Sequence, residues 1–366
     1  MNKNLVDIYK EKPTFMKMKD KTIVKNFGNL KEEYNALRNG SVIYDYSSFG
    51  LFSVSGENST DFLNYLVTKD IQFLTIGQST ECLFLNKKAE IIAYSILLKR
   101  ENDYLLIVPY EHDLALYEWL KENKQPSITL KKLNDIYSLI SVEGSQSWRL
   151  MKCALDLPVS EISLHYSSDF TILNSTVTVI RIGRSNEYGY MLMANYSVIK
   201  ELYLKILNHI DSLEFPIKEA GWDCVELGLL ETHLPNFYRE TSDYGNIIEL
   251  SQQWFVQYDK EEFIGKKALL ELLEISEKKN TVGFVLQENI KENVNNEFIF
   301  DNDKKIGQVI YSAYSFKLKA IVGIALLDNP YPQSGLTLQL GQNKNIIKTL
   351  SSPYVRPLSW DTDIDE

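Results

Sequence analysis

ECLFLNKKAEIIAYSILLKRENDYLLIVP, residues 81–109, holds three apolar runs, Cys82–Leu85, Ile91–Leu98 and Tyr104–Val108. Two polar breaks, Asn86–Glu90 and Lys99–Asp103, separate them. Short runs rich in Ile, Leu and Tyr between charged turns predict an antiparallel meander. The middle run has no polar residue until Ser95, which predicts a strand buried on both faces. Its centre carries Ala93, Tyr94 and Ser95 and no carboxylate, although a buried charge is what an enzyme would place there at a cost of several kcal/mol.

Around this meander the chain alternates strands and helices. NLKEEYNALRNG predicts a helix ending at Gly40, preceded by an irregular arm over residues 1–30. Phe52 and Val54 alternate with Ser53 and Ser55 as a strand, and Asn58–Ser59 can cap the helix that follows. The helix YEHDLALYEWLKENK places Leu114, Tyr117 and Leu120 on one face. Further on, a strand turns at Glu143-Gly144 into a helix, and Val177–Ile182 leads through a Gly183–Gly189 turn into strand Tyr190–Ala194. SVIKELYLKILNHI reads as a helix buried through Ile199, Leu202, Ile206 and Leu207. After a helix over Lys266–Lys279, five or six short strands predict a small β-barrel or sandwich. The class is α+β.

Composition narrows the function. The 366 residues are 44% apolar and 24% charged, with a net charge of −10, which argues against nucleic acid or an anionic membrane as main partner. Cys82, Cys153 and Cys224 stand in apolar contexts without CxxC spacing, which predicts buried free thiols in a reducing compartment. No apolar run reaches a membrane-spanning length, and a cytoplasmic protein is expected. The four histidines show no metal-ligand spacing, so no metal is expected.

Nine segments, taken in order, resemble the aminomethyltransferase family, typified by the T-protein of the glycine cleavage system. They include Tyr44-Asp45-Tyr46-Ser47-Ser48-Phe49-Gly50, Thr68-Lys69-Asp70, Leu85-Asn86, the Asn186–Gly189 turn, Asp223, Trp254, Glu262-Phe263-Ile264-Gly265 and Pro353-Tyr354. The resemblance implies a three-domain ring with a central ligand hole. Residues 1–275 would be an interleaved folate-binding-type region of two intertwined domains, the meander in the second, and 280–366 a C-terminal β-barrel. It also implies tetrahydrofolate as cofactor and transfer of a one-carbon group. Three positions depart from the family pattern. Ala93-Tyr94 replaces its acidic pair, Met191 replaces the glutamate implied to bind the pterin edge, and Trp222 replaces an arginine. A thioether cannot accept the paired N–H donors that a carboxylate can.

Candidate catalytic residues are therefore Tyr94, as a phenol standing in for the acid, with His233 and Tyr238 from a long polar loop. Candidate cofactor-binding residues are Phe49 and Trp254, which could pack on the pterin, with Tyr188, Met191, Trp222 and Arg239. The expected function is one-carbon transfer, methyl or aminomethyl, with tetrahydrofolate, and a demethylase or methyltransferase on a small molecule in preference to glycine cleavage. One alternative is an enzyme on the same scaffold that has lost folate and acts on another small molecule. Another is a non-catalytic folate-sensing or assembly protein.

Overall fold

A computed structural model describes residues 5–210, 212–237, 239–240, 246–275, 279–287 and 292–364. The chain opens with a hairpin, β1 (Thr14–Met18) and β2 (Lys21–Asn26), where an irregular arm is expected from sequence. Only one of its positions, Ile23, is fully buried, so it leaves little apolar periodicity to read. Helix α1 (Leu30–Asn39) starts at Asn29, whose side chain accepts from the Glu32 amide, and carries Glu32 and Glu33 in its first turn and Arg38 in its last. That charge order suits the helix dipole. Strand β3 (Ser41–Asp45) follows.

The chain then leaves that sheet and builds another. Strand β4 (Gly50–Ser55), helix α2 (Ser59–Leu66), the meander β5 (Ser79–Leu85), β6 (Ile91–Lys99) and β7 (Tyr104–Val108), helix α3 (Asp113–Asn123) and β8 (Thr129–Lys132) form a five-stranded sheet in the order β5-β6-β7-β4-β8. The middle strand is buried on both faces because it separates two cores. Tyr94, Ile96 and Leu98 face one, with Leu83, Leu85, Leu105 and Ile107. Ala93 and Leu97 face the other, with Cys82, Phe84 and the apolar sides of α2 and α3. On α3 the buried positions are Leu116 and Leu120, and Leu114 is exposed, which corrects the face assigned from sequence. Ser53 is buried as well, its hydroxyl bonded to Asp103, so β4 has no solvent side despite its alternation.

Strand β9 (Tyr137–Glu143) returns to the first sheet, followed by α4 (Ser147–Leu155), β10 (Ser167–Ile172), β11 (Ser175–Ile180), β12 (Gly189–Asn195), α5 (Tyr196–Leu207), β13 (Ile217–Ala220) and α6 (Trp222–Thr232). The sheet order is β10-β11-β12-β9-β3-β13, with β13 parallel to β3. The helix face of α5 is buried through the four residues its spacing predicts. Cys82 and Cys224 are buried, but Cys153 is exposed on α4, against expectation. Helix α7 (Lys266–Glu274) ends earlier than its charge pattern suggests. The rest closes as a six-stranded barrel of β14 (Lys279–Leu286), β15 (Phe298–Asp301), β16 (Lys304–Ser315), β17 (Ala320–Asp328), β18 (Thr337–Leu340) and β19 (Asn345–Leu350).

A buried charge cluster fastens the barrel to the first sheet and its helices. Arg38 pairs with Glu187 at 2.8 Å and Glu231 at 2.7 Å, all nearly solvent-free. Glu231 also accepts from Tyr34 and from Ser315 of the barrel. No helix among the described residues is long and apolar enough to cross a membrane.

Candidate active site

Between the inner face of the five-stranded sheet, the turn after β11 and helix α6 lies a cavity of about 100 Å³. Its lining includes Glu81, Tyr94, Arg184, Asn186, Trp254 and Phe255. Leu83 pairs with Tyr94 and Glu81 with Ile96, so alternation along the meander puts Glu81 on the same face as Tyr94. The Tyr94 hydroxyl donates to Glu81 Oε1 at 2.5 Å. Burial, and then the Glu81 charge, push the phenol well above its ordinary value, so Tyr94 keeps its proton. The acid missing from β6 is thus present one strand away.

Arg184 is the second unanticipated residue. Its guanidinium carbon stands 5.6 Å from the Tyr94 ring, 5.9 Å from Phe49 and 5.5 Å from Trp222. It is only 7% exposed, and Nη1 has no hydrogen-bond acceptor among the described residues. Burial is the largest influence and would lower its pKa, but Glu111 and the Tyr94, Tyr46 and Tyr110 hydroxyls together outweigh it and keep the guanidinium charged. Further unpartnered buried polar atoms are Glu111 Oε2, Tyr110 Oη and Trp222 Nε1. The Tyr110 and Trp222 rings meet edge to face at 5.2 Å, and Phe49 meets Tyr110 at 5.6 Å and stacks on Tyr46 at 4.3 Å.

The turn that carries Arg184 is held by Glu143, a fully buried carboxylate at the end of β9. Its Oε2 accepts from the Arg184 amide at 2.9 Å, the Ser185 amide at 2.9 Å and Ser185 Oγ at 2.7 Å, while Oε1 accepts from Ser141 Oγ at 2.8 Å. Burial raises the Glu143 carboxyl above the usual carboxylate range, against these bonds. Gly183 and Gly189 close the base of the turn so tightly that a Cβ on Gly189 would lie 2.5 Å from the Gly183 Cα.

The other sequence candidates are dispersed. Trp254 is at the cavity rim, half exposed, its ring centroid 3.7 Å from that of Phe255 at a 32° tilt, and it donates through Nε1 to Gln252. Trp222 lines a separate space of about 20 Å³ with Tyr44, Tyr46 and Tyr110. Met191 is wholly buried in the core that also holds Tyr94, Phe49 and Trp222, and it lines neither space. Three candidates lie away from the cavity. His233 caps α6 in a left-handed conformation, its ring 5.7 Å from Tyr354, and burial lowers its pKa to about 4. Arg239 pairs with Glu226 at 2.9 Å and Glu240 at 2.8 Å and lies over Tyr311 of the barrel. Tyr188 is only partly buried and donates to the Thr362 carbonyl. Tyr238 lies outside the described residues.

The GCVT N-terminal domain family matches residues 8–260. The chain belongs to that family. An aminomethyltransferase of Thermoanaerobacter pseudethanolicus is 28% identical over 327 residues, covering 88% of each chain. One from Alkaliphilus oremlandii is 27% identical over 325 residues, again covering 88% of each. The crystal structure of glycine cleavage system aminomethyltransferase T from Bartonella henselae superposes with a TM-score of 0.84 at 21% identity, over 94% of this chain and 95% of that one. The fold is therefore of the T-protein type, barrel included.

Family resemblance implies tetrahydrofolate, with its pterin beside Phe49 and the positions of Tyr94 and Met191. The residues present do not fit that ring system as they stand. Arg184 fills the space between Phe49, Tyr94 and Trp222. The remaining cavity of about 100 Å³ is well below the roughly 300–1,000 Å³ of ordinary small-molecule sites. No glutamate stands at Met191 to take the pterin's N–H groups.

Proposed function

We propose that this protein transfers a one-carbon group, methyl or aminomethyl, on a small molecule held against the Tyr94–Glu81 pair, and not on a lipoyl-bearing protein. The observation that carries the reading is the hydrogen bond from Tyr94 to Glu81 inside a cavity of the aminomethyltransferase scaffold. Tyr94 directs its proton to Glu81, so its oxygen is free to accept an N–H from a bound amine. Taking that proton while passing its own to Glu81 makes the pair a general base for an amine nitrogen as it takes up a one-carbon group from a donor, and a general acid that returns the proton in the reverse transfer. Phe237 and Phe255, whose rings lie 5.9 and 6.0 Å from Tyr94, pack against the phenol. Arg184 borders the same cavity, its guanidinium carbon 5.6 Å from the Tyr94 ring.

A second reading, an enzyme that has lost folate altogether, is favoured by one observation, the guanidinium of Arg184 in the pterin's place. The test is single-turnover transfer from N-methylated amines, with and without tetrahydrofolate. Tyr94→Phe and Glu81→Gln should each slow transfer by about 10²–10⁴-fold while leaving the folded circular dichroism spectrum intact. Wild-type rates in both variants would refute the pair. Turnover that is independent of tetrahydrofolate would select the second reading.

A further inference from the structure

We propose that Arg184 decides what this site admits: its guanidinium is a built-in plug, set among Phe49, Tyr94 and Trp222, that keeps a pterin out and leaves room for a smaller ligand. The inference goes beyond the one-carbon reading, since it concerns which molecules fit beside the Tyr94–Glu81 pair and not what the pair does. Two spaces flank the side chain. One, of about 100 Å³, is lined by Tyr94 and by Arg184 itself. The other, of about 20 Å³, is lined by Trp222 with Tyr44, Tyr46 and Tyr110. The guanidinium carbon is 5.6 Å from the Tyr94 ring and 5.5 Å from the Trp222 ring, so the side chain stands between a wall of each. Cutting it back to Cβ would join the two spaces and add the volume of its methylenes and guanidinium. The joined space would be walled by flat rings, with Phe49 stacked on Tyr46 at 4.3 Å and Tyr110 edge-on to Trp222 at 5.2 Å.

The forces that hold the plug have little direction. Among the described residues the Arg184 side chain makes no ion pair and no hydrogen bond, and the turn is fixed through its backbone amide on Glu143. The guanidinium is kept by three rings at 5.5–5.9 Å and by the buried countercharge of Glu111. Aromatic faces attract a guanidinium without pairing its donors. A buried N–H without an acceptor is costly, and that cost is relieved when the side chain moves out to water. The plug also resembles what it excludes. The amino-pyrimidinone edge of a pterin is a flat N–C(NH₂)–N unit, the same arrangement as a guanidinium, and it can stack on the same rings. A flat, nitrogen-rich ligand and Arg184 therefore compete for one aromatic box.

Calorimetric titration of the full chain with tetrahydrofolate tests this. Arg184→Ala should bind it at least about tenfold more tightly than wild type. Ala93-Tyr94 and Met191 are the same in both proteins, so the ratio isolates the plug. Methylguanidine at low-millimolar concentration should raise the melting temperature of Arg184→Ala and compete there with tetrahydrofolate, and should do neither in wild type. Methylamine, a cation without the flat unit, should do neither in either protein. Absent, equal or weaker tetrahydrofolate binding in Arg184→Ala, or no response of that variant to methylguanidine, would overturn the proposal. If the variant does not fold alone, recovery of its fold by methylguanidine and not by methylamine is the supporting result, and no recovery overturns it. The two readings fail separately. Transfer that depends on Tyr94, with equal tetrahydrofolate affinity in wild type and Arg184→Ala, would leave the function standing and sink the plug. Tighter tetrahydrofolate binding in Arg184→Ala with unimpaired transfer in Tyr94→Phe would do the reverse.

Discussion

Removing the Glu143 carboxylate should cost more than most single substitutions, and the amount can be worked from its bonds. Four donors reach it at 2.7–2.9 Å: two backbone amides, of Arg184 and Ser185, and the hydroxyls of Ser185 and Ser141. In Glu143→Ala the hydroxyls can turn to other acceptors, but the two amides cannot. Each stranded buried N–H costs about 1–3 kcal/mol. Lost methylene packing adds roughly 0.8 kcal/mol per group. Relief of a carboxylate that burial already disfavours takes some of this back. The net expectation is about 3–5 kcal/mol. Glu143→Gln keeps one oxygen for the two amides and turns its NH₂ toward Ser141, so about 1–2 kcal/mol is expected. Urea unfolding followed by far-ultraviolet circular dichroism measures both. Tryptophan fluorescence should change more in the alanine variant, because the loosened turn carries Arg184, 5.5 Å from the Trp222 ring. A loss below about 1 kcal/mol in Glu143→Ala, or equal losses in the two variants, would show that the carboxylate does not hold the turn.

Other perturbations probe the frame of the site. Burial keeps His112 neutral in the fold to about pH 4, whereas the unfolded chain takes up the proton near the ordinary 6.5. Its contribution is therefore lost as pH falls below 6.5, by about 2 kcal/mol at pH 5, and His112→Gln should flatten the urea midpoint measured between pH 7 and pH 5. Lys260 is 5% exposed and donates to the carbonyls of Asn64, Val67 and Lys69, tying the end of α2 to the loop before α7. Lys260→Met strands three carbonyls, and thermal unfolding should register a loss of about 2–4 kcal/mol. Gly189→Ala drives a Cβ against the Gly183 backbone and should destabilise the chain by about 1–3 kcal/mol, as urea unfolding would report.

The meander was legible because runs bounded by charged turns leave few other readings, and its three strands stand where the apolar runs do. Family resemblance carried the barrel and the layer order. The site was less legible for a geometric reason. Glu81 sits at the start of an apolar run, and its relevance depends on cross-strand register, which decides that it shares a face with Tyr94. Arg184 looks like one more charge in a turn. Only the closing of Gly183 on Gly189 and the pull of Glu143 turn that backbone inward. The polar loop around His233 and Arg239 looked functional by its composition, yet Arg239 reaches back to Glu226 and the barrel, so it works as a joint between units.

The changes inside this scaffold are correlated, and the correlation bears on function. Resemblance implies acidic groups at Ala93-Tyr94 and at Met191 and a cation at Trp222. The charges at all three places are absent, which by itself would leave an apolar core. Yet charge returns at two nearby places, Glu81 and Arg184, each bordering the same cavity. Buried charges without use are removed easily, since apolar replacements of similar volume are often neutral or stabilising. Arg184 is buried with one unpartnered donor, and Glu143 spends three hydrogen bonds on its turn. A core merely filled after losing its ligand would have no reason to keep such a group. Relocated charge supports the reading of a site rebuilt for a ligand smaller than a pterin.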